Sequence, residues 1–308
     1  MKNNLSCDKG WPEYLKGVAY VLQRAGYILK GWKGVLAGNI PISSGLSSSA
    51  ALEMALMKTF SVCSGFPWDA RAAALLAKRA ENDWIGVACG IMDQLVSSCG
   101  EEGHALLIDC RTLERKSIPL SGAGRVVIVN PHVQRNLVDS PFNARKRQCE
   151  TAASILGVSS LRDVSVQQLM AFQYKFAKDE TAFRRALHVV SENDRTLRAV
   201  DALSRHDLVA FGKILNESHA SLKVSFEVST SELDTIVSIA QQHPACFGAR
   251  LTGAGFGGCI VAVVDCDQVG EFCMYITSEY ESKKGVSPSV YVCSATNGTT
   301  SFPGSQYC

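Results

Sequence analysis

Between Pro41 and Ala51 the chain reads P-I-S-S-G-L-S-S-S-A-A, and an apolar helical pattern follows it. Gly45 lets the backbone approach an anion with no side chain in the way. The serines bring hydroxyl and unpaired amide groups to a helix N-terminus, where the dipole leaves about half a positive charge. This combination predicts a phosphate-binding loop and therefore a bound nucleotide. The alternative is an ordinary capped helix, because serine is a good N-cap residue.

The loop is not a P-loop of the Walker type, because no Gly-Lys-Ser/Thr follows it. The chain has 308 residues, which suggests about two domains. Its net charge of +2 gives no basic surface for nucleic acid or for a membrane, so we expect neither partner. Twelve cysteines without a CxxC pair are typical of small buried side chains in a reducing compartment. With no signal-peptide pattern at the start, we expect a cytoplasmic protein.

The hydrophobic periodicity predicts helices and strands throughout the chain. The helices are predicted over 12–24, 47–63, 68–82, 91–98, 143–156, 165–173, 180–204, 206–217 and 231–243. The strands are predicted over 33–38, 104–109 and 125–130, with a strand, a glycine turn and a strand over 247–265. We expect the tail after Ala295 to be frayed. This mixture indicates an α+β or α/β architecture in two lobes, residues 1–138 and 139–308.

A second motif combines Glu81 with the run Cys89-Gly-Ile-Met-Asp-Gln94. Phosphoryl transfer to a hydroxyl group needs a cation, neutralised phosphate charge and a group that accepts the hydroxyl proton. Asp93 lies in apolar surroundings, which favours a role beyond solvation, and Glu81 offers carboxylate oxygens of the kind Mg²⁺ binds. The alternative is that Glu81 is a solvated charge at a helix end and Asp93 a helix cap.

A third motif is the glycine-rich run between Thr252 and Cys259, with glycine at Gly253, Gly255, Gly257 and Gly258. Four glycines in six positions, flanked by strand-like residues, suit close backbone approach to an anion or to another loop. The alternative is a glycine-rich β-turn with bulges.

Together the three motifs resemble those of the GHMP small-molecule kinases, and in particular the galactose-phosphorylating branch of that family. Further segments follow the pattern of that branch in order and spacing: Cys89–Gln94, Gly103–Arg111, Arg145–Glu150, Glu217–Leu222 and Phe226–Ser229. The resemblance runs from about Trp11 to Asp265. It implies an α+β, two-lobed GHMP kinase fold, with a ribosomal-protein-S5-like N-terminal lobe, a ferredoxin-like C-terminal lobe and the site between them.

The resemblance also implies roles for individual residues. Asp93 would be the catalytic base for the C1 hydroxyl of galactose, and Gly90, Asp93 and Phe142 would contact the sugar. Ser49 and Glu81 would bind Mg²⁺. The positions assigned to ATP are Trp11, near the adenine, and Gly45, Leu46, Ser47, Ser48, Ser49 and Ala50, around the phosphates.

Two departures from the family pattern bear on activity. Phe142 stands where the family has a tyrosine, so a hydroxyl hydrogen bond worth about 0.5–1.5 kcal/mol is lost. The family's first motif, a Gly-Arg-x-Asn-x-x-Gly-Glu-His-x-Asp-Tyr pattern near the N-terminus, is absent from the sequence. That motif supplies an arginine beside the base, so we expect a fragment with impaired activity. We also expect the helix over 47–63 to expose an apolar patch.

The reading favoured by these motifs is ATP-dependent phosphorylation of galactose, with ATP and Mg²⁺ as cofactors and a monomer as the full-length protein. One alternative is a non-catalytic sugar- and ATP-binding regulator on the same fold, which Phe142 and the missing motif favour. The other is a kinase for a related sugar such as N-acetylgalactosamine.

Overall fold

A computed structural model describes residues 10–41, 44–87, 89–133 and 141–302, with backbone alone at residues 141–142. The chain forms two compact units. Unit one comprises the chain up to Pro41, Ser47–Ile118 and the chain from Ala295 onward. Unit two comprises Ile42–Leu46 and Pro119–Ser294. The units are therefore discontinuous in sequence, and the lobe boundary predicted at 138/139 falls outside the described residues.

The ten α-helices of the described ranges are α1 (Pro12–Arg24), α2 (Ser48–Ser64), α3 (Ala70–Arg79), α4 (Met92–Cys99), α5 (Pro141–Leu156), α6 (Val166–Ala171), α7 (Glu180–Ser204), α8 (Leu208–Ser221), α9 (Ser231–Gln242) and α10 (Val269–Lys284). The six strands found there are β1 (His104–Ile108), β2 (Arg115–Pro119), β3 (Gly124–Asn130), β4 (Cys246–Leu251), β5 (Ile260–Asp265) and β6 (Ser289–Cys293). Two single π-helical turns follow α3 and α8, at Ala80–Ile85 and Leu222–Phe226. None of the described helices is long and apolar enough to cross a membrane.

Unit one is built on α1, α2 and α3, which share one apolar core. Pro12 starts α1 at a position where its missing N–H costs nothing. Asp69 caps α3 by accepting hydrogen bonds from the amides of Arg71 and Ala72. The fully or nearly fully buried core residues of these helices are Val18, Val21, Leu22, Met54, Leu56, Met57, Phe60, Ala73 and Ala77. This core holds the start of α2 and the end of α3 in fixed positions.

Unit two contains a four-stranded antiparallel sheet in the order β4-β5-β3-β6. The β-branched strands β3 and β5 pair in register, with Val127 opposite Ala262. Helices α9 and α10 contribute buried residues to the same core, among them Ile236 and Phe272. Helix α8 lies against β4 at Gly248, where an added Cβ would stand 2.1 Å from the carbonyl oxygen of Gly212. Only glycine fits this contact.

Most predicted elements are confirmed, including α1 and α7 with their predicted ends. The strand predicted over 33–38 is wrong: this segment is extended, but among the described residues it has no ladder partner. A strand is stable only when its backbone groups are paired. The apolar patch expected on the helix over 47–63 is also wrong, because most large apolar residues of α2 are buried. The large apolar residue with the greatest exposed fraction on the extended segment is Val35, at 98%.

The prediction of a frayed tail is wrong over its described part. Thr299 donates its amide and its hydroxyl to the carbonyl of Ser97, and the amide of Gly298 donates to the carbonyl of Gly100. These bonds hold the tail against the C-terminal end of α4. Polar tail residues gave no hydrophobic pattern, so the sequence offered no sign of this contact.

Candidate active site

The phosphate-loop prediction can be compared with the start of α2, where Ser47 occupies the N-cap position. Ser47 has a left-handed backbone, with φ 56° and ψ 36°, and its side chain makes no capping hydrogen bond. A left-handed conformation is uncommon for a residue with a side chain. The amides of the first turn also lack intrahelical acceptors, and that turn carries no acidic residue. The helix N-terminus is therefore not closed by the ordinary serine cap.

The hydroxyl of Ser47 instead hydrogen-bonds the carboxylate of Asp93. Asp93 is half-buried in the first turn of α4. Burial raises the pKa of Asp93, the hydrogen bond from Ser47 lowers it, and the charge of Glu81 raises it again, with a net upward shift. A carboxylate with a raised pKa is a better proton acceptor near neutral pH. The predicted phosphate loop and the predicted base thus meet in unit one.

Glu81 lies on the π-helical turn after α3, a local geometry often found at functional sites. Its side chain is buried, and its Oε2 accepts a hydrogen bond of 2.8 Å from Nε2 of Gln94. Gln94 directly follows Asp93 on α4. One helix turn therefore carries both the predicted base and the residue that orients the predicted metal ligand.

Glu53 is a buried acid that lies outside the three sequence motifs. It lies one helical turn after Ser49 on α2, so the two side chains share a helix face. Its Oε2 accepts from the same Nε2 of Gln94, at 3.3 Å. Burial, followed by the charge of Glu81, raises the pKa of Glu53 to about 9, so its carboxyl group is neutral at pH 7. The signal in the sequence was a glutamate inside the apolar run L-E-M-A-L.

The buried acids have more acceptor atoms than donors. Oε1 of Glu53 and Oε1 of Gln94 are buried and have no hydrogen-bond partner among the described residues. Ser49 and Glu81 offer the hard oxygen atoms that Mg²⁺ prefers, and Mg²⁺ usually takes only one or two protein carboxylates together with phosphate oxygens. Buried oxygen atoms without a hydrogen-bond partner among the described residues fit such a cation.

Cys89 and Tyr14 complete the surroundings of Glu81. The Cys89 thiol lies 3.5 Å from Oδ1 of Asn82, and burial followed by its hydrogen bond to Glu81 raises its pKa to about 12. Burial also raises the pKa of Tyr14, with the charge of Glu81 as the next cause. Both groups stay protonated at neutral pH. Gly90, beside Cys89, is exposed.

The structure describes two further predicted site residues, Trp11 and Gly45, but not the side chain of a third, Phe142. Trp11 precedes α1 with 59% of its surface exposed, so its ring presents a face on which a base can stack. Gly45 has φ 81°, and it belongs with Leu46 to unit two. The side chain of Phe142 is not among those that the structure describes.

The glycine loop, Thr252–Cys259, joins β4 to β5 in unit two. Its four glycines all have positive φ, at 73°, 79°, 124° and 85° in chain order. The amide of Cys259 donates to the carbonyl of Ser44 over 3.1 Å, and the amide of Gly258 donates to the carbonyl of Val133 over 3.2 Å. The structure thus brings the glycine loop to the first part of the serine-rich run, which lies in the same unit.

Comparisons with known proteins identify the family of the chain. The GHMP kinases N terminal domain matches residues 13–101, and the GHMP kinases C terminal domain matches residues 199–280. Galactokinase of Mannheimia succiniciproducens is 43% identical over 291 residues, covering 94% of this chain and 76% of that protein. Galactokinase of Roseiflexus sp. is 42% identical over 296 residues, with 94% and 75% covered.

Solved structures give the same result for the fold. Lactococcus lactis galactokinase complexed with galactose superposes with a TM-score of 0.90 at 36% identity, covering 96% of this chain and 78% of that one. L. major mevalonate kinase in complex with R-mevalonate has a TM-score of 0.60 at 19% identity, with 94% and 78% covered, which shows the shared fold. By sequence and by structure, the chain belongs to the GHMP kinase family and, within it, to the galactokinases.

Proposed function

We propose that this chain transfers the γ-phosphoryl group of ATP to the C1 hydroxyl of galactose, giving galactose 1-phosphate and ADP. The observation that carries the proposal is the hydrogen bond between Ser47, at the head of the phosphate loop, and Asp93. It joins a phosphate-binding helix N-terminus to a proton acceptor within one unit. The galactokinase relatives and the galactose complex of the Lactococcus enzyme support the choice of sugar.

Asp93 accepts the proton of the C1 hydroxyl group of galactose. The hydroxyl oxygen attacks the γ-phosphorus atom of ATP, and the bond between that phosphorus and the oxygen of the β-phosphate breaks. The raised pKa of Asp93 suits this role. Much of the remaining rate enhancement in phosphoryl transfer comes from positioning and electrostatics. Gln94 contributes by fixing the carboxylate of Glu81.

Ser49 and Glu81 are the residues that would hold Mg²⁺. When bound, the ion supplies neutralisation of phosphate charge, which the acid-rich cluster of unit one cannot provide. The amides of Ser48, Ser49 and Ala50 would bind phosphate oxygens at the helix N-terminus, with Gly45, Leu46 and Ser47 ahead of them. Trp11 would stack on the adenine, Gly90 and Phe142 would contact the sugar, and the glycine loop would present its backbone to an anion.

A coupled assay for ADP release tests the proposal. The purified chain is incubated with Mg²⁺-ATP and, in separate reactions, with galactose, N-acetylgalactosamine or no sugar. We expect ADP release that depends on galactose. Faster release with N-acetylgalactosamine would identify a kinase for the related sugar. Calorimetric binding of ATP and galactose without ADP release would identify a non-catalytic binding protein, and either result would overturn the proposal.

A further inference from the structure

Three arginines of unit two converge on one carboxylate, that of Glu227. Nη2 of Arg185 lies 2.7 Å from Oε2 of Glu227, and Nη2 of Arg145 lies 3.8 Å from the same oxygen. Nη1 of Arg184 is hydrogen-bonded to Oε1. Arg185 is 2% exposed, so its charge depends on this partner for compensation. The hydrogen bond from Arg185 is the main cause that lowers the pKa of Glu227, which keeps the carboxylate charged.

The same arginines also hold the backbone on either side of that carboxylate. Arg185 donates to the carbonyl of Ser225 at 2.6 Å. Arg145 donates to the carbonyls of Phe226 and Glu227, at 2.6 and 2.9 Å. Glu227 has a left-handed backbone, with φ 56°, at the end of the π-helical turn. The bonds to the side chain and the main chain together hold Glu227 in this strained conformation.

This turn is in direct contact with the glycine loop. The carbonyl of Val228 accepts a 2.7 Å hydrogen bond from the amide of Phe256. A Cβ at Gly255 would stand 2.3 Å from that carbonyl oxygen, so only glycine fits there. The guanidinium of Arg145 also lies 5.7 Å from the centroid of the Phe256 ring. The position of the Val228 carbonyl therefore determines where the middle of the loop lies.

We propose that Glu227 is a positioning residue for the glycine loop: with Arg145 and Arg185 it fixes the 225–228 turn, whose Val228 carbonyl anchors Phe256. This gives a role to two segments, Arg145–Glu150 and Phe226–Ser229, that carry no group for the chemistry proposed above. The role of the glycine loop in binding a substrate rests on the proposed function. The contact between the 225–228 turn and the loop does not.

Hydrogen–deuterium exchange of the intact chain tests the contact. In Glu227→Gln, the amides of 253–258 are expected to exchange roughly tenfold to a hundredfold faster, the effect of losing one charged hydrogen bond. The control is Glu217→Gln, which removes the same charge from a surface pair with Arg198 in the same unit. Unchanged exchange in a folded Glu227→Gln protein would overturn the proposal.

Two more variants keep the test decisive. If Glu227→Gln does not fold, Arg145→Met removes the two carbonyl bonds while leaving the Arg185–Glu227 pair, and faster loop exchange is again expected. Glu227→Gly relaxes the left-handed residue but loses the carboxylate, so it should behave like Glu227→Gln. If Glu227→Gly protects the loop as well as the parent protein does, the carboxylate is not needed and the proposal fails.

Kinetic measurements on the same variants separate this inference from the proposed function. We expect the KM for galactose or for ATP to rise by about tenfold while the pH profile of kcat stays unchanged, because Asp93 is not altered. Faster loop exchange with unchanged kcat and KM would support the positioning role of Glu227. It would contradict the use of the loop in substrate binding.

Discussion

The two units treat buried charge in opposite ways. In unit one, the buried acids Glu53 and Glu81 share one amide donor from Gln94, and acceptor atoms remain without partners. In unit two, three arginines surround the single carboxylate of Glu227, and Arg145 and Arg185 also donate to backbone carbonyls and to the side chain of Gln148. Nε of Arg184 is buried and has no partner among the described residues. The first cluster keeps buried oxygen atoms without a partner among the described residues, which is what the proposed Mg²⁺ site would need. The second ties Arg145 and Arg185 to backbone carbonyls of the 225–227 turn, which suits a fixed scaffold.

The largest effect is expected from Asp93→Asn in unit one. Loss of the proton acceptor should lower kcat for galactose by about 10²–10⁴-fold, with little change in the melting temperature. Steady-state ADP release measures the rate. Asp83→Asn is the matched control, because Asp83 lies in the same unit in an exposed pair with Arg79. Equal losses in both variants would show that Asp93 has no special role.

The next largest effect is expected on the free energy of unfolding when one acid is removed from each cluster. Glu227→Leu should destabilise the protein by about 2–3 kcal/mol, below the usual cost of breaking a buried pair because Glu227 is 38% exposed. Glu53→Leu should cost less than about 1 kcal/mol or be stabilising, since it removes an under-satisfied polar group. Urea unfolding measures both. A larger loss for Glu53→Leu would reverse the comparison.

Glu53 is expected to contribute a pH dependence to the free energy of unfolding. Because its pKa is raised from 4.5 to about 9 on folding, the folded state binds one more proton than the unfolded state between these values. Stability from this group therefore falls as pH rises from 4.5 to 9, by up to about 1.4 kcal/mol per pH unit. Below pH 4.5 and above pH 9 its contribution is constant.

Urea unfolding of the parent protein and Glu53→Gln, in EDTA and at several pH values, isolates this contribution. The difference in unfolding free energy between the parent protein and Glu53→Gln should change steadily with pH. A constant difference would mean that Glu53 is ionised in the folded protein.

The smallest effect is expected at the surface of unit two. Arg198→Ala removes an ion pair whose two side chains are 46% and 47% exposed. We expect a change of about 0.2–1 kcal/mol, reduced further by salt. A loss as large as that of Glu227→Leu would show that the arginine cluster has no special place among the ion pairs of this unit.

The sequence predicted what depends on local pattern and short motifs. Pro12 and the apolar stripe of α1 identified that helix with its ends, and the serine run identified the start of α2. The sequence did not separate Glu53 from a surface glutamate, because its burial depends on how α2 packs against α4. The Arg145–Glu227 contact could not be predicted from the sequence either, since it joins residues 82 positions apart whose side chains resemble ordinary surface charges.

The bonds between the described tail and α4 have a consequence for the order of assembly. Helix α4 begins beside the loop serine that meets Asp93, and its far end is closed by Gly298 and Thr299. These two residues are synthesised only after all of unit two. The acid-bearing helix is therefore made well before its neighbourhood is complete, because a far later segment must return to it.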